Sequence, residues 1–374
     1  MLIREEDTMD KHLVFHLPNS ADSGRNSEGS FLRAPNGDIL FAYSHFNTSL
    51  GDDDDPCDIS LIRSHDEGET WSTPEVIARA SDFGVKNIMS VSGLTLKDGS
   101  LCFFFIVKED KDGSSHVGRA VSQDGIHFTP MTCAFDHVQR GYYVFNNDRF
   151  IRLSDGRIAA AASKYSCAHT QDEDEFCLFT EGYAMPVCFV SDDEGASFKT
   201  TRARIALSGR LAQAQGMEEP GIIELKNGVI WLWARTMLCY QYQCFSLDGM
   251  DSFTPPEPSV FTSPRAPMEL YRTADGTIYA IYNPVPHYNG VKHKSWLGRT
   301  PFVLRSSHDD GKTWSDLYTI EDDANGNYAY PAMFETRDHA LLCGYMSGHC
   351  DESDLSHIVS LDQSLKIMKI SLDK

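Results

Sequence analysis

The sequence predicts an all-β protein, a six-bladed β-propeller that takes up residues 1–374 as one domain. Three observations carry this expectation: an eight-residue box that returns along the chain, a polar-glycine turn that precedes each box, and a scarcity of helix signals. The box is clearest as Ser64-His65-Asp66-Glu67-Gly68-Glu69-Thr70-Trp71 and returns as Ser307-His308-Asp309-Asp310-Gly311-Lys312-Thr313-Trp314. A third copy, Ser191-Asp192-Asp193-Glu194-Gly195-Ala196-Ser197-Phe198, keeps the serine, aspartate and glycine and exchanges tryptophan for phenylalanine. Self-similarity of this kind is the signature of one supersecondary unit used repeatedly.

The turn signal reads PNGDILFAY around Gly37, KDGSLCFFF around Gly99, SDGRIAAAA around Gly156, KNGVIWLWA around Gly228 and ADGTIYAIY around Gly276, with RDHALLCGY around His339 as a degenerate sixth copy. Asp-Gly and Asn-Gly tolerate positive φ, and the apolar run behind each suits a buried strand, so each copy predicts a β-hairpin. Weaker boxes begin at Ser122 (SQDGIHF) and Ser246 (SLDGMDSF), and a sixth is placed at Ser360 (SLDQSLKI). Turn and box alternate six times with a period of roughly sixty residues, longer than the repeat of WD-type blades. Within the box, Ser and Asp bond the turn's own backbone, glycine supplies the unusual conformation, and the aromatic packs beneath. The boxes are therefore expected to be scaffold, with the chemistry elsewhere.

A formal net charge of -21 opposes a nucleic-acid or anionic-membrane partner, since no basic stripe is present to replace phosphate counterions. No apolar run approaches the roughly 20 residues of a membrane span, and the N-terminal residues lack the apolar core of a leader, so a soluble, cytoplasmic protein is expected. The ten cysteines, Cys57, Cys102, Cys167, Cys239 and Cys350 among them, follow neither a CxxC spacing nor a compact framework and read as small buried hydrophobes in a reducing compartment. No metal and no cofactor is expected. The acidic stretches Asp52 to Asp55 and Gln171 to Glu175 read as loops between strands, and His287, His293 and His349 have no partner spacing.

The boxes resemble those of the sialidase (neuraminidase) superfamily, six-bladed propellers with S-x-D-x-G-x-T-W repeats, and the resemblance covers nearly the whole chain. It implies a site in which three arginines hold a substrate carboxylate, a tyrosine acts as nucleophile beside a glutamate, and an aspartate serves as acid and base. Arg299, eight residues before the box serine Ser307, is similar to a triad arginine of the family, and the segment from Glu219 to Arg235 is similar to the one that carries the glutamate and a second arginine. Tyr328-Ala329-Tyr330-Pro331 resembles the nucleophile stretch, with Tyr330 first and Tyr328 in reserve. The aspartate is expected in Asp52-Asp53-Asp54-Asp55, with Asp53 and Asp54 ahead of their neighbours and unseparated.

The first arginine departs from the family pattern: Arg25 is preferred to Arg33, and it stands further from Gly37 than the family's R-I-P arginine, with Glu28 beside it. The polar cluster Asn146-Asn147-Asp148-Arg149 suggests a further subsite, with Asn147 and Arg149 as substrate contacts. The resemblance thus implies an exo-acting hydrolase that removes sialic acid or a related acidic sugar from a glycan with retention. Three guanidinium groups give the bidentate bonds a carboxylate needs, and a neutral phenol avoids bringing a second anion to it. A hydrolase or lyase for another sugar and a non-catalytic carbohydrate-binding propeller remain open, as does the oligomeric state. Each residue also has a plainer role open to it: the arginines as surface ion pairs, Tyr330 as packing, and the aspartates as a solvated turn.

Overall fold

The computed structural model describes residues 9–109, 114–135, 141–166, 183–207, 216–285, 298–349 and 363–372. Among them the only helix is the 3-10 turn Ala80–Phe83; everything else that is regular is strand. No described helix is long and apolar enough to cross a membrane. Cys167, Cys350, the stretch 171–175, His287 and His293 lie outside the described residues.

Successive antiparallel meanders make an all-β, propeller-like arrangement. The first runs through Arg25–Arg33, Ile39–Phe46, Cys57–Ser64 and Glu75–Ala78, and the second through Asn87–Thr95, Leu101–Lys108, Ser115–Ser122 and Thr129–Thr132. In the third, the inner strand is split into Tyr142–Val144 and Ile151–Arg152, and Ile158–Ser166, Tyr183–Ser191 and Ser197–Thr200 follow. The fourth comprises Glu218–Glu224, Ile230–Arg235, Tyr240–Ser246 and Glu257–Thr262; the fifth, Glu269–Arg272, Ile278–Tyr282, Phe302–Ser307 and Tyr318–Glu321. The sixth takes Gly326–Glu335, Ala340–His349 and Ser364–Ser371 from the end of the chain and its outermost strand, Lys11–Leu17, from the beginning. A single parallel bridge, Cys57 to Asn87, joins the first two meanders into one eight-stranded sheet, so the hydrogen-bonded sheets number five.

The strands are apolar on both sides because each meander is covered twice. Ile39, Phe41 and Ile62 pack against Leu342 and Ile367 of the sixth meander, whereas Leu40, Ala42 and Leu61, one residue along, pack against Ile88, Phe103 and Phe105 of the second. The period-two alternation therefore sorts side chains between two neighbours rather than between core and water. Cys57, Cys102, Cys133, Cys188, Cys244 and Cys343 are buried in this way, and all seven described cysteines, Cys239 included, are free thiols.

The boxes are the hairpins between third and fourth strands. Ser64 Oγ donates to Asp66 Oδ1 (2.8 Å) and accepts from the Gly68 N–H (2.9 Å); Asp66 accepts from the Thr70 N–H (2.9 Å) and hydroxyl (2.6 Å). Trp71 Nε1 closes the turn on the Gly68 carbonyl at 3.0 Å. The Ser307 box makes the same five bonds at 2.6 to 3.1 Å. A feature not anticipated from the sequence ties each of three boxes to its own turn: Arg33, Arg152 and Arg272 each donate to the turn glycine's carbonyl (Gly37, Gly156, Gly276) and pair with the box acid (Glu67, Glu194, Asp310). This accounts for Arg33, which is a staple of the scaffold.

The sixth box at Ser360 is corrected by the pairing register. In five meanders the residue two beyond the turn pairs with the box serine: Ile39 with Ser64, Leu101 with Ser122, Ile158 with Ser191, Ile230 with Ser246 and Ile278 with Ser307. In the sixth, Leu341 pairs with Ile370. Residues 360–362 lie outside the described residues, and Ser364 to Ile367 open the third strand rather than ending it. No box is needed there because the strand alongside is supplied by Lys11–Leu17, so that edge has no hairpin to close.

Candidate active site

The site forms where the innermost strands kink. Four of them carry a register shift at the same level: between Ser27 and Ser30, Met89 and Ser92, Glu218 and Gly221, and Ala329 and Ala332. At each shift one non-glycine residue takes a left-handed backbone: Glu28 (φ 57°), Ser90 (62°), Glu219 (47°) and Tyr330 (56°). An extra residue in one strand of a pair re-aims its side chain and concentrates at sites of function. Neighbouring meanders hold the kinked backbone: Ser44 Oγ accepts from the Ser90 N–H at 2.8 Å and Ser163 Oγ from the Glu219 N–H at 2.7 Å.

Three arginines gather around Tyr330. Arg25 and Arg299 lie over its ring, 5.3 and 5.6 Å from the centroid, and Arg299 also hydrogen-bonds the tyrosine side chain. Arg235, paired across the hairpin from Glu218, sets Nη1 3.0 Å from Glu219 Oε2. Arg25 is buried and grips three groups: Ser27 Oγ through Nε (2.8 Å), Glu28 Oε1 through Nη2 (2.8 Å) and Asp53 Oδ1 through Nη1 (2.6 Å). Glu28 accepts in addition from the Ser90 hydroxyl at 3.1 Å.

The electrostatics follow from charge packed out of water. Burial, then the adjacent Glu219, pushes the Tyr330 phenol up, against the pull of Arg299 and Arg25. Burial likewise raises Glu219 despite Arg235. Glu28 is pushed by burial to about 7, with Arg25 opposing. Asp53 goes the other way: burial raises it, but Arg25 and Lys108 outweigh burial and hold it at about 2. The two aspartates left unseparated by the sequence thus differ in place. The Asp53 side chain is 44% exposed on Arg25, while that of Asp54 is 91% exposed with Lys108 Nζ at 3.3 Å.

The remaining candidates stand apart from this cluster. Asn147 is wholly buried and its amide donates to the carbonyls of Gly29 (3.0 Å) and Pro331 (2.9 Å), so it fastens the Glu28 and Tyr330 kinks to each other. Arg149 pairs with Glu269, donates to the Met268 carbonyl (2.8 Å) and lies over Trp233; burial lowers it to about 10. Tyr328 is in the core with Phe302 and Tyr345. The kink explains why Tyr328 and Tyr330, two residues apart, do not share a face.

Several residues at the site were not singled out from the sequence. Glu218 is buried between Arg235 and Arg265 and accepts from the Tyr165 hydroxyl at 3.1 Å. Lys108 donates to the Asp53 carbonyl at 2.5 Å, and Asn87 donates to the same carbonyl at 3.1 Å, holding the aspartate loop against the second meander. Ser90, Lys108, Tyr142 and Asn146 line a narrow cleft with Glu28, Asp53, Glu219 and Tyr330; its free volume of about 20 Å3 has room for a single water. The doubled Glu218-Glu219 and the lysine ending the apolar run of Leu101–Lys108 were the available signals.

Solved structures share this fold across nearly the whole chain. A protein of unknown function from Dyadobacter fermentans is 16% identical with a TM-score of 0.69, covering 96% of this chain and 99% of its own. The NanB sialidase from Streptococcus pneumoniae is 13% identical with a TM-score of 0.68, over 96% of this chain and 70% of that one. The intramolecular trans-sialidase from Ruminococcus gnavus is 12% identical with a TM-score of 0.65, over 96% and 97%. No curated protein matches the sequence. The model of the BNR repeat-like domain matches residues 37–346, most of the chain, and the chain belongs to that family.

Proposed function

We propose that this chain is an exo-acting, sialidase-like glycoside hydrolase that releases a terminal acidic sugar, and that its meanders are the six blades of a propeller. The observation that carries the reading is the gathering of Arg25, Arg235 and Arg299 around a half-buried tyrosine, with Glu219 on Arg235 and Asp53 on Arg25. Such a grouping suits a substrate that brings its own carboxylate to the reacting carbon. The solved sialidases with this fold point the same way.

In this reading the substrate carboxylate takes the arginine edges, and Tyr330 Oη attacks the anomeric carbon as its proton passes to Glu219. The bond to the leaving oxygen breaks as Asp53 protonates it. Asp53 then removes a proton from water, whose oxygen displaces Tyr330, and Glu219 returns the phenol proton. The raised Tyr330 is neutral at rest and needs this base.

The resting site adds a requirement. Asp53 occupies an edge of Arg25 that a substrate carboxylate would take, and while it does so it is too acidic to donate a proton. Substrate binding must therefore exchange one carboxylate for the other on Arg25. The exchange lifts Asp53 away, opens the narrow cleft and raises the aspartate into the range of an acid. Gly51 lets the loop lie this close to Arg25, because its φ of +68° and its close approach to that residue exclude a side chain.

The deciding experiment offers the pure protein aryl glycosides of sialic acid, of ketodeoxy acidic sugars and of neutral sugars. Release from an acidic glycoside with retained anomeric configuration is expected. Cleavage confined to neutral glycosides, or no saturable interaction with any acidic sugar, would sink the proposal.

A further inference from the structure

A larger recess lies between the fourth and fifth meanders, beside the Ser307 box, with a free volume of about 670 Å3. Its floor is aromatic. Phe245 stacks on Trp231 at 6.0 Å between centroids, and Trp314 meets Trp231 edge-on at 6.4 Å. Val260, 64% exposed, extends the apolar wall. The rim is polar and balanced in charge, with Lys226 and Lys312 set among Asp309 and Asp310, and the amide of Gln243 nearby. Trp231 itself is buried, and its indole N–H has no hydrogen-bond partner among the described residues.

Between the sixth and first meanders the equivalent recess is latched shut. Leu342 occupies the place of Trp231: a Cβ on the box glycine Gly68 would meet Leu342 at 2.7 Å, as one on Gly311 would meet Trp231 at 2.8 Å. The position of Phe245, just before the residue opposite the turn, is there filled by Lys369, and that of Lys312 in the box by Glu69. Lys369 Nζ donates to Glu69 Oε1 and Asp338 Oδ2, both at 2.7 Å, and lies across the gap. Between the first and second meanders Arg63, at the same position, reaches the Gly125 carbonyl at 3.1 Å. At the fourth and fifth meanders a phenylalanine replaces the cation and a lysine replaces the acid, so this latch cannot form, and Phe245 and Trp314 are left partly exposed over the buried Trp231.

An aromatic floor beneath a mixed rim of amide, ammonium and carboxylate matches a sugar ring, whose C–H face lies on the rings while its hydroxyls bond the rim. The balanced rim gives an anion no net attraction, and a purely apolar guest would strip water from the exposed Lys226 and Lys312 without replacing its hydrogen bonds. We propose that this recess is a second carbohydrate-binding site, for neutral pyranose sugars, distinct from the arginine cluster. It stands on its own observations and does not require the reaction proposed above.

The test is calorimetric titration of the full chain with lactose, a neutral disaccharide, beside the double variant Phe245→Lys with Lys312→Glu, which installs the latch seen at Lys369 and Glu69. Saturable binding by the unaltered protein is expected, in the millimolar range usual for one exposed sugar site, weakened at least about tenfold in the variant with its melting temperature held. Gln243→Ala serves as a second variant should the double one fold poorly, with a weakening of about threefold expected. Absence of saturable lactose binding, lactose binding equal in all three proteins, or binding of N-acetyltryptophanamide in place of lactose would each overturn the assignment.

Discussion

In the box hairpins the left-handed backbone falls on an acid and the glycine after it, Glu67-Gly68 (φ 55° and 89°), Glu194-Gly195 (58° and 76°) and Asp310-Gly311 (66° and 87°); in each inner-strand kink it falls on a single non-glycine residue, Glu28, Ser90, Glu219 or Tyr330. The serine, aspartate and threonine of a box satisfy one another inside its own eight residues, as Ser64, Asp66 and Thr70 show, and its acid pairs with an arginine of the same meander, as Glu67 does with Arg33. Those of the kinks depend on other meanders: Glu28 on Ser90, Glu219 on Ser163, and the Tyr330 carbonyl region on Asn147. Each non-glycine left-handed residue costs about 1 to 3 kcal/mol, a strain that persists only where the surroundings over-determine it. One region is self-contained scaffold. The other gathers charge, and its strain is held by neighbouring meanders, which is where chemistry is expected to sit.

The contrast is broken most directly at Tyr330. Tyr330→Phe is expected to keep its fold and lose turnover of an acidic aryl glycoside by roughly a thousandfold or more, about 4 kcal/mol of transition-state stabilisation. Turnover within tenfold of the parent would show that the kinks are not the reacting region. Asp309→Ala should behave oppositely: loss of its bonds from Ser307 and Thr313 should lower unfolding free energy by about 2 kcal/mol in a urea titration, with kcat unchanged. A kcat that falls with stability would give the box a role beyond scaffold.

A smaller effect concerns Glu28. An acid whose folded value stands above its unfolded one takes up a proton on folding, so its contribution to stability is full below the ordinary carboxylate range and fades as pH rises through about 7. The same protonation removes a competing charge from Arg25. Affinity for an acidic sugar should therefore rise up to about tenfold between pH 8 and pH 6, and Glu28→Gln should flatten that profile; an unchanged slope in the variant would remove Glu28 as its source. The smallest effect is at the one turn that uses a side chain where the others use glycine. His339 is exposed with φ 60°, and His339→Gly is expected to stabilise by up to about 1 kcal/mol, read as a rise in melting temperature. A fall would mean that the His339 side chain holds the turn.

The periodic parts of the fold were legible because they are local. A box carries its own hydrogen-bond partners, and a turn of Asp-Gly or Asn-Gly carries its own backbone preference, so five boxes and six turns could be read from short stretches. The outermost strand of the sixth meander could not, since Lys11–Leu17 pairs with residues some 350 positions away (Lys11 with Ile370), and a sixth box was accordingly sought ahead of the third strand, Ser364–Ser371, where the other boxes follow theirs. At the site, resemblance supplied Arg25, Arg235, Arg299, Glu219 and Tyr330, which the fold brings together. It did not separate Asp53 from Asp54 or reveal Arg265 and Lys108, because each owes its place to a partner in a different meander. Nor do the kinks announce themselves: Glu28, Ser90 and Tyr330 follow no common residue pattern, and their left-handed backbone is imposed by the neighbours that bond it.

The pairing of Lys11–Leu17 with Ser364–Ser371 also orders events in time. During synthesis Lys11–Leu17 emerges well before Ser364–Ser371 and has no partner until that strand has left the ribosome. Every other meander can pair as soon as it is made, while the sixth stays one strand short and leaves an edge of Ser364–Ser371 open until Lys11–Leu17 docks. That docking is a long-range contact, and so a slow one to form.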